Sequence, residues 1–552
     1  MKKILSLVLL LSILATIPMS ASAAHLSWEN GATKYEPYPE TVTITQGRTV
    51  EMTTVPTGDA HDNSGFTRYI EAATNIKLVN EWTAANGEIF NTRVGLALNE
   101  KNMPDVLNVN YQTFAELYEA GMIQDLTEAY NATELPTIKY VMESWGDTLT
   151  KAVSRDGSGI WAIPYPNTYQ RDMYWIRRDW LEAVDMEIPT TYAELEAVMD
   201  AFVNKDPDGD GKNNTYGISM SSKVAGGYNA AHHMNLLFAY HGTGLRYWTY
   251  DEDGKAVYSS VQPETREVLA ILRDWYQKGY IKKDFVAADA NGDVTGGKVG
   301  IMCGPWWMAT WPLNNGVAND KNADWWPFVI KNEEGIVPVN SQNPVNGYIV
   351  VSKDCENPEA VLKVIELGIE IWNMVDPDAF MPYMDGYFNE DLTQKVGNNL
   401  IPIMWLKQVP FLEDNDPLHE LFKAFDENAG EAALEAMTPE VKGYYAGALK
   451  YWLNKDNPDA WGGNDWGNYV GWYVGRSLEF RETEWYDIPS IFHATTDTMV
   501  ARWTTLQSME EETMMKVIMG QQTLDDWDAF VDRWYSLGGE TITEEVNASL
   551  GL

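Results

Sequence analysis

Short apolar runs of strand length alternate with longer stretches of helical period through the first 350 or so residues, and that alternation limits the fold more than any other feature. Strand-like runs stand at Val50 to Val55, Ile76 to Val79, Val106 to Val109, Met173 to Arg177, Val299 to Cys303 and Ile349 to Ser352. Between them, Thr191 and Glu194 have capping-box spacing, ahead of Tyr192, Leu195, Met199 and Phe202 on one helical face. A second helix is expected from Pro263 to Lys278, closed by Gly279, and a third from Pro358 through Val361, Val364 and Ile365. A chain that alternates in this way covers its sheets with helices, so the fold class is α/β. From about Pro358 onward helical periods dominate, and a helix from Leu524 to Leu537 is closed by Gly538 and Gly539. The stretch Trp461 to Trp472 is too rich in glycine for a helix interior and reads as a loop.

The run Val299 to Cys303 is stopped by Gly304-Pro305 and followed at once by Trp306, Trp307 and Trp311. Open α/β sheets bind ligands outside the carboxyl ends of their strands, so indoles placed there offer flat faces to a ligand in a cleft. Sugar rings, apolar on their C–H faces and hydroxylated at the rim, suit such faces. Trp306 and Trp307 are expected to stack on them, while Trp311 beside Pro312 packs the lobe. In the second aromatic stretch, Asn464 and Asp465 interleave with Trp461, Trp466 and Trp472, which points to Trp466 as a further stacking ring and Asp465 as a hydroxyl partner. The proline-locked loop Ile163 to Tyr169, followed by Arg171, suits a crossover between lobes, with Tyr165, Asn167 and Arg171 turned to the cleft. The competing explanation for every one of these aromatics is core packing, which must account for most of them.

Residues 1 to 23 read as an export signal: Lys2 and Lys3, an apolar core from Ile4 to Ile17, and the small residues Ala21-Ser22-Ala23. No cysteine follows that core, so the lipid-bearing cysteine of a tethered protein is missing. Loss of Lys2 and Lys3 takes the formal charge from -40 to -42, which argues against nucleic acid and against anionic lipid surfaces. Two cysteines, Cys303 and Cys355, cannot make a disulfide framework.

Asp206, Asp208 and Asp210 occupy the first, third and fifth positions of a calcium loop; Gly211 gives the turn, Lys212 a carbonyl, and Asn214 stands ninth. Position twelve is Gly217 and not a bidentate Glu, so the loop is no complete EF-hand. Three carboxylates within five residues repel one another unless a cation neutralises them, and a structural Ca2+ is expected there. Asp206 and Asn213 break the P-loop pattern, and neither a His-Glu-x-x-His motif nor a nucleophile elbow occurs. Paired acids are always available in so acidic a chain, so a secreted glycoside hydrolase or polysaccharide lyase working in an aromatic groove is the alternative to a binding protein.

Four stretches carry a resemblance: HDNSGFTRYIEAATNIKL from His61, GKVGIMCGPWWMATWPL from Gly297, NPEAVLKVIELG from Asn357, and MMKVIMGQQTLDDWDAFVDRWYSLGGETITEEVN from Met514. By these the chain resembles family 1 extracellular solute-binding proteins of carbohydrate ABC importers, in the LipO-like, alginate-binding-protein-like branch. The Asp206 loop is similar to that family's calcium loop, except that Asn214 and Thr215 stand where acidic residues are often found. The resemblance implies a periplasmic-binding-protein-like type II fold: two α/β lobes, a hinge and a helix-rich C-terminal part. Lobe 1 would take residues 47–165 and 341–372, and lobe 2 residues 166–340 and 373–552, after a lead-in at 24–46. It also implies no catalysis, an oligosaccharide ligand, ABC permease subunits as partners, a monomer, and an extracellular or periplasmic location.

Overall fold

In a computed structural model, the described residues are 32–552 apart from 51–54, 156, 168–170, 227–229, 342, 389–399, 406–416, 430–436, 438 and 494. The export segment therefore lies outside the described residues, as does most of the run Val50 to Val55. Described strands are β1 Val42–Thr49, β2 Ile76–Ala84, β3 Val106–Val109, β4 Ile163–Pro166, β5 Met173–Arg177, β6 Tyr216–Ile218, β7 Trp248–Tyr250, β8 Ala256–Tyr258, β9 Val299–Gly304, β10 Trp325–Phe328, β11 Val337–Asn340, β12 Val345–Val351 and β13 Trp485–Ile488. They form a five-stranded sheet, β2-β1-β3-β12-β4, a four-stranded sheet, β10-β5-β9-β6, and two pairs, β11-β13 and β7-β8. The class is α/β, as the alternation requires.

Local signals act where they stand. The helix Tyr192–Asn204 is capped by Thr191, whose side chain accepts from the Glu194 amide, while the Glu194 carboxylate accepts from Thr190. The helix Pro263–Lys278 begins on its proline and ends at Gly279 with φ of 81°, a left-handed geometry that glycine adopts without strain. The C-terminal helix behaves differently. It runs Leu524–Trp534 and continues, bent at Gly538, into Glu540–Leu550. The Gly-Gly pair makes a kink there, since Gly538 takes φ of 132° while the chain resumes helical geometry beyond it.

Each large sheet has its own hydrophobic core. The first gathers Ile44, Phe66, Ile70, Leu107, Ile349, Val350, Leu362 and Ile365 with Phe380, Tyr387, Ile401 and Trp405. The second gathers Tyr174, Trp180, Phe202, Leu272, Trp275, Ile301, Trp527 and Trp534. Two expected boundaries differ from this. The strand β1 begins at Val42, inside the stretch read as a lead-in, because Ile44 sits fully in the first core. Phe380, Met384, Tyr387, Phe388, Leu400, Ile401, Ile403 and Trp405 pack into the first core and not the second, and the Trp405 indole donates to the Pro164 carbonyl at 2.8 Å. Cys303 and Cys355 are both free and belong to different cores.

Three carboxyls, Glu366, Glu479 and Glu510, are fully buried, and burial pushes each up to about 7. Glu510 lies 3.7 Å from Arg246 and accepts from the Tyr258 hydroxyl at 3.2 Å. A carboxyl whose folded pKa exceeds its unfolded value of 4.5 binds more protons in the folded state, so its contribution is full below pH 4.5 and is lost as pH rises through about 7. Glu510→Gln should therefore lessen the fall in unfolding free energy between pH 5 and pH 8 by on the order of 1–3 kcal/mol relative to the parent. Urea unfolding at the two pH values measures this, and parallel pH profiles for both proteins would count against it.

Candidate functional site

Each large sheet gathers strand ends from distant segments at one edge. In the first, β12 is antiparallel to both β3 and β4, so Val109, Pro166 and Val345 share one edge. In the second, Met173 pairs with Gly304, which puts the start of β5 and the end of β9 together. Chain passes between lobes from β4 to β5 and from β11 to β12, and those crossovers are joined. The Asn167 amide N–H donates to the Pro344 carbonyl at 2.9 Å, and its side-chain Nδ2 donates to the Asn343 carbonyl at 3.0 Å. Asn167 thus ties the crossovers through its two nitrogens while its Oδ1 is buried without a donor, and Tyr165 is buried in the first core. Arg171 makes a two-pronged ion pair with Asp487 of β13, at 2.7 and 3.3 Å, and its backbone N–H donates to Glu479 at 3.1 Å. A guanidinium held on both prongs is positioned as a brace between crossover and lobe.

Beyond Gly304-Pro305 the chain makes a tight turn, Trp306–Ala309. Against it lies the stretch read from sequence as a loop, which is in fact helical: Gly463–Gly467 is α-helical and Asn468–Gly475 continues as a wider π-helix. Glycines at four-residue spacing explain why. A Cβ on Gly463 would strike the Asn314 carbonyl, one on Gly467 would lie 2.5 Å from the Ala309 carbonyl, one on Gly471 3.1 Å from the Ala309 Cβ, and one on Gly475 3.3 Å from the Trp306 Cβ. The glycines form one face, and backbone packs on backbone there. The entropy cost of glycine inside a helix is offset by that approach.

This contact sorts the aromatics. Trp306 is 8% exposed, its ring 4.5 Å from Trp472 in edge-on geometry, with the Arg476 guanidinium 5.0 Å from it; Trp472 stacks on Tyr444 at 3.9 Å. The indole N–H groups of Trp306, Trp307 and Trp472 are buried without a protein acceptor. Trp466 is 1% exposed and packs in a further apolar cluster with Trp175, Met302, Trp325 and Val470, so in this conformation it fills space. Asp465 accepts from the Gly462 amide at 2.7 Å and from Lys450 at 2.7 Å, which makes it the helix cap. Trp311, expected to pack, is the exposed ring of the three at 49%.

A cavity of about 490 Å³ lies between the lobes. Asn110, Tyr111 and Gln112 line it from the first lobe, Ser341 and Asn343 from a crossover, and Arg246, Tyr247, Trp248, Phe492 and Trp503 from the second. Its size falls within the ~300–1,000 Å³ common for ligand sites. None of the seven ligand residues expected from sequence lines this cavity. Its own residues carried no local signal: Asn110 only reads as the cap of the helix Tyr111–Glu119, and the others converge from distant segments. Behind the wall, Arg155 lies 4.2 Å from the Phe114 ring and donates to the Tyr111 hydroxyl at 3.0 Å. Histidine is structural at His232, whose ring nitrogens sit 2.8 Å from Ser219 Oγ and 2.9 Å from Asn291 Oδ1, and burial holds its pKa below the usual range.

Asp206, Asp208 and Asp210 come together, with one carboxylate oxygen of each within 4.8 Å of the others. Asp206 Oδ2 accepts from the Gly211 amide at 3.0 Å, Asp210 Oδ1 from the Lys212 amide at 2.8 Å, and Asp210 Oδ2 from the Asn214 side chain at 3.0 Å. Asp206 Oδ1 and Asn214 Oδ1 are buried without a donor. Lys298 stands 3.7 and 3.9 Å from Asp208 and Asp210. Orphaned acceptors beside clustered carboxylates form an all-oxygen set that could hold a hard divalent cation.

A family model for bacterial extracellular solute-binding proteins matches residues 67–367, more than half of the chain. The chain is 26% identical over 247 residues to lipoprotein LipO of Bacillus subtilis (strain 168), covering 44% of this chain and 46% of that one. It is 23% identical over 308 residues to the fructooligosaccharide ABC transporter substrate-binding protein FusA of Streptococcus pneumoniae serotype 4, covering 52% and 54%. These matches span about half the length of the curated relatives. In fold, it is similar to the alginate-binding protein AlgQ2 solved without calcium ion, with a TM-score of 0.60 at 16% identity over 94% of this chain and all of that one.

The glycine face generates a direct expectation. Gly467→Ala should destabilise the protein by roughly 1–3 kcal/mol through overpacking, whereas Gly462→Ala, whose added methyl would meet Asp465 at an ordinary 3.6 Å, should stay within about 0.5 kcal/mol. Equal midpoints in urea for the two variants would contradict the packing argument.

Proposed function

The chain belongs to the bacterial extracellular solute-binding proteins, and from that premise we propose that it captures a short oligosaccharide between its lobes and delivers it to the permease of an ABC importer. The observation that carries this reading is the interlobe cavity, walled by both lobes and by the crossovers, and lined with amides, hydroxyls and aromatic rings. Two lobes with separate cores move as bodies about hydrogen-bonded crossovers, so a ligand touching both walls favours the closed arrangement by the contacts only that arrangement supplies. Trp306 and Trp307 stand at the same sheet edge as Arg171 and pack outside the cavity wall, with their indole N–H groups buried. Trp466, Asp465, Asn167, Arg171 and Tyr165 support the site and hold its geometry. The protein works as an exported monomer, extracellular or periplasmic, and turns over no substrate. Among the described residues no helix is long and apolar enough to cross a membrane.

Ca2+ is the proposed occupant of the acidic loop, held by Asp206, Asp208, Asp210, the Lys212 carbonyl and the Asn214 side-chain oxygen. It neutralises the carboxylates and braces the loop between the helix Tyr192–Asn204 and β6. Chelation with EGTA should lower the melting temperature of the parent and leave that of Asp208→Asn unchanged; equal responses would remove the ion from this loop.

A thermal-shift screen against an oligosaccharide panel, with chromatography of each mixture, tests the receptor reading. The expected outcome is a concentration-dependent rise in melting temperature for some glycans with no product formed, about 2.7 kcal/mol at a hundredfold excess over Kd. Release of shorter products would point to the hydrolase or lyase instead. Tyr111→Ala, which removes a ring and a hydroxyl from the cavity wall, should weaken binding of a glycan that scores by about 1–3 kcal/mol while the fold remains intact.

A further inference from the structure

We infer that the ligand is an uncharged glycan, and that uronic oligosaccharides are rejected because the one guanidinium among the described residues lining the interlobe cavity is already paired with a carboxylate of the protein. This rests on the receptor reading above and specifies its ligand class. Arg246 is the single Lys, Arg, Asp or Glu among the described residues lining the interlobe cavity, and it pairs with Glu511 and lies 3.7 Å from buried Glu510. Arg171 is bound on both prongs to Asp487, and Arg476 stands 3.5 Å from fully buried Glu479. The rest of the cavity wall is uncharged amide and hydroxyl groups, such as Asn110, Gln112 and Ser341, with aromatic rings, small and aliphatic residues and His493.

A carboxylate entering such a site leaves water without gaining a cation of its own, and a buried charge without a partner is strongly disfavoured. The long-range field adds to this, since the chain has a formal charge of -40. Neutral hydroxyls face no such cost, and the wall can both donate to them and accept from them. Tyr111 is the clearest case. Its hydroxyl oxygen accepts from Arg155, so its own proton is left to donate into the cavity it lines. Arg155 itself is set back from that wall, against Phe114 and Tyr111.

The test is isothermal calorimetry of the full protein with kestose, maltotriose and xylotriose as neutral probes and trigalacturonate as the uronic probe, at low and high salt. At least one neutral probe should bind, with an affinity independent of salt, and trigalacturonate should bind at least 100-fold more weakly. In the double variant Glu510→Gln/Glu511→Gln, which releases Arg246, the ratio of trigalacturonate to neutral affinity should rise by tenfold or more. Trigalacturonate binding the parent as tightly as the best neutral probe overturns the inference while leaving the receptor reading in place. An unchanged ratio in the double variant also overturns it. Silence from all four probes, with no thermal shift, counts against the receptor reading and takes the inference with it.

Discussion

The close approach of the glycine-faced helix Gly463–Gly475 to the turn Trp306–Ala309 is the contact on which the second lobe's ligand edge depends. Backbone meets backbone there because no side chain intervenes at Gly463, Gly467, Gly471 or Gly475. The same contact carries Trp472 onto Trp306, sets Arg476 beside that indole, and places Glu479 below Arg171. A helix held at ordinary side-chain distance would leave those groups apart. The long C-terminal part of the chain is therefore a structural element of the cleft and not an appendage to two α/β lobes.

The second constraint is the separation of the cores. Sheet β2-β1-β3-β12-β4 and sheet β10-β5-β9-β6 each close over their own apolar residues. Lobes cored separately can shift relative to one another without opening either core. Asn167 and Asn343 fix the crossovers to each other, so the lobes share a defined pivot. Arg171, Asp487 and Glu479 then tie one crossover to the second lobe.

Much of this fold was legible in the sequence wherever the signal was local. Strands β3 and β5, the helices at Tyr192 and Pro263, and the start of the helix at Pro358 followed from period, caps and breakers. Non-local features were not legible. Glycine content argued for a loop at Trp461 to Trp472, and only the four-residue spacing of Gly463, Gly467, Gly471 and Gly475, taken with a partner surface, makes it helical. The indoles were correctly recognised as gathered at the end of β9, yet their sorting into packed Trp466, edge-placed Trp306 and exposed Trp311 is set by tertiary contact. Asn167 and Arg171 lie in the crossover, but the Asn167 Nδ2 and the Arg171 Nε and Nη2 are engaged by protein partners. The residues of the interlobe cavity come from segments spread between Asn110 and Gln507, and no spacing rule joins Tyr111 to Trp503.

The central claim is that two independently cored lobes close on a held ligand. Small-angle X-ray scattering tests it most directly, with the protein alone and with a saturating amount of the neutral oligosaccharide that gives the largest thermal shift. The account predicts a smaller radius of gyration and a shorter maximum dimension in the liganded sample, with no change on adding a glycan that gives no shift. Identical scattering curves with and without bound ligand would contradict it.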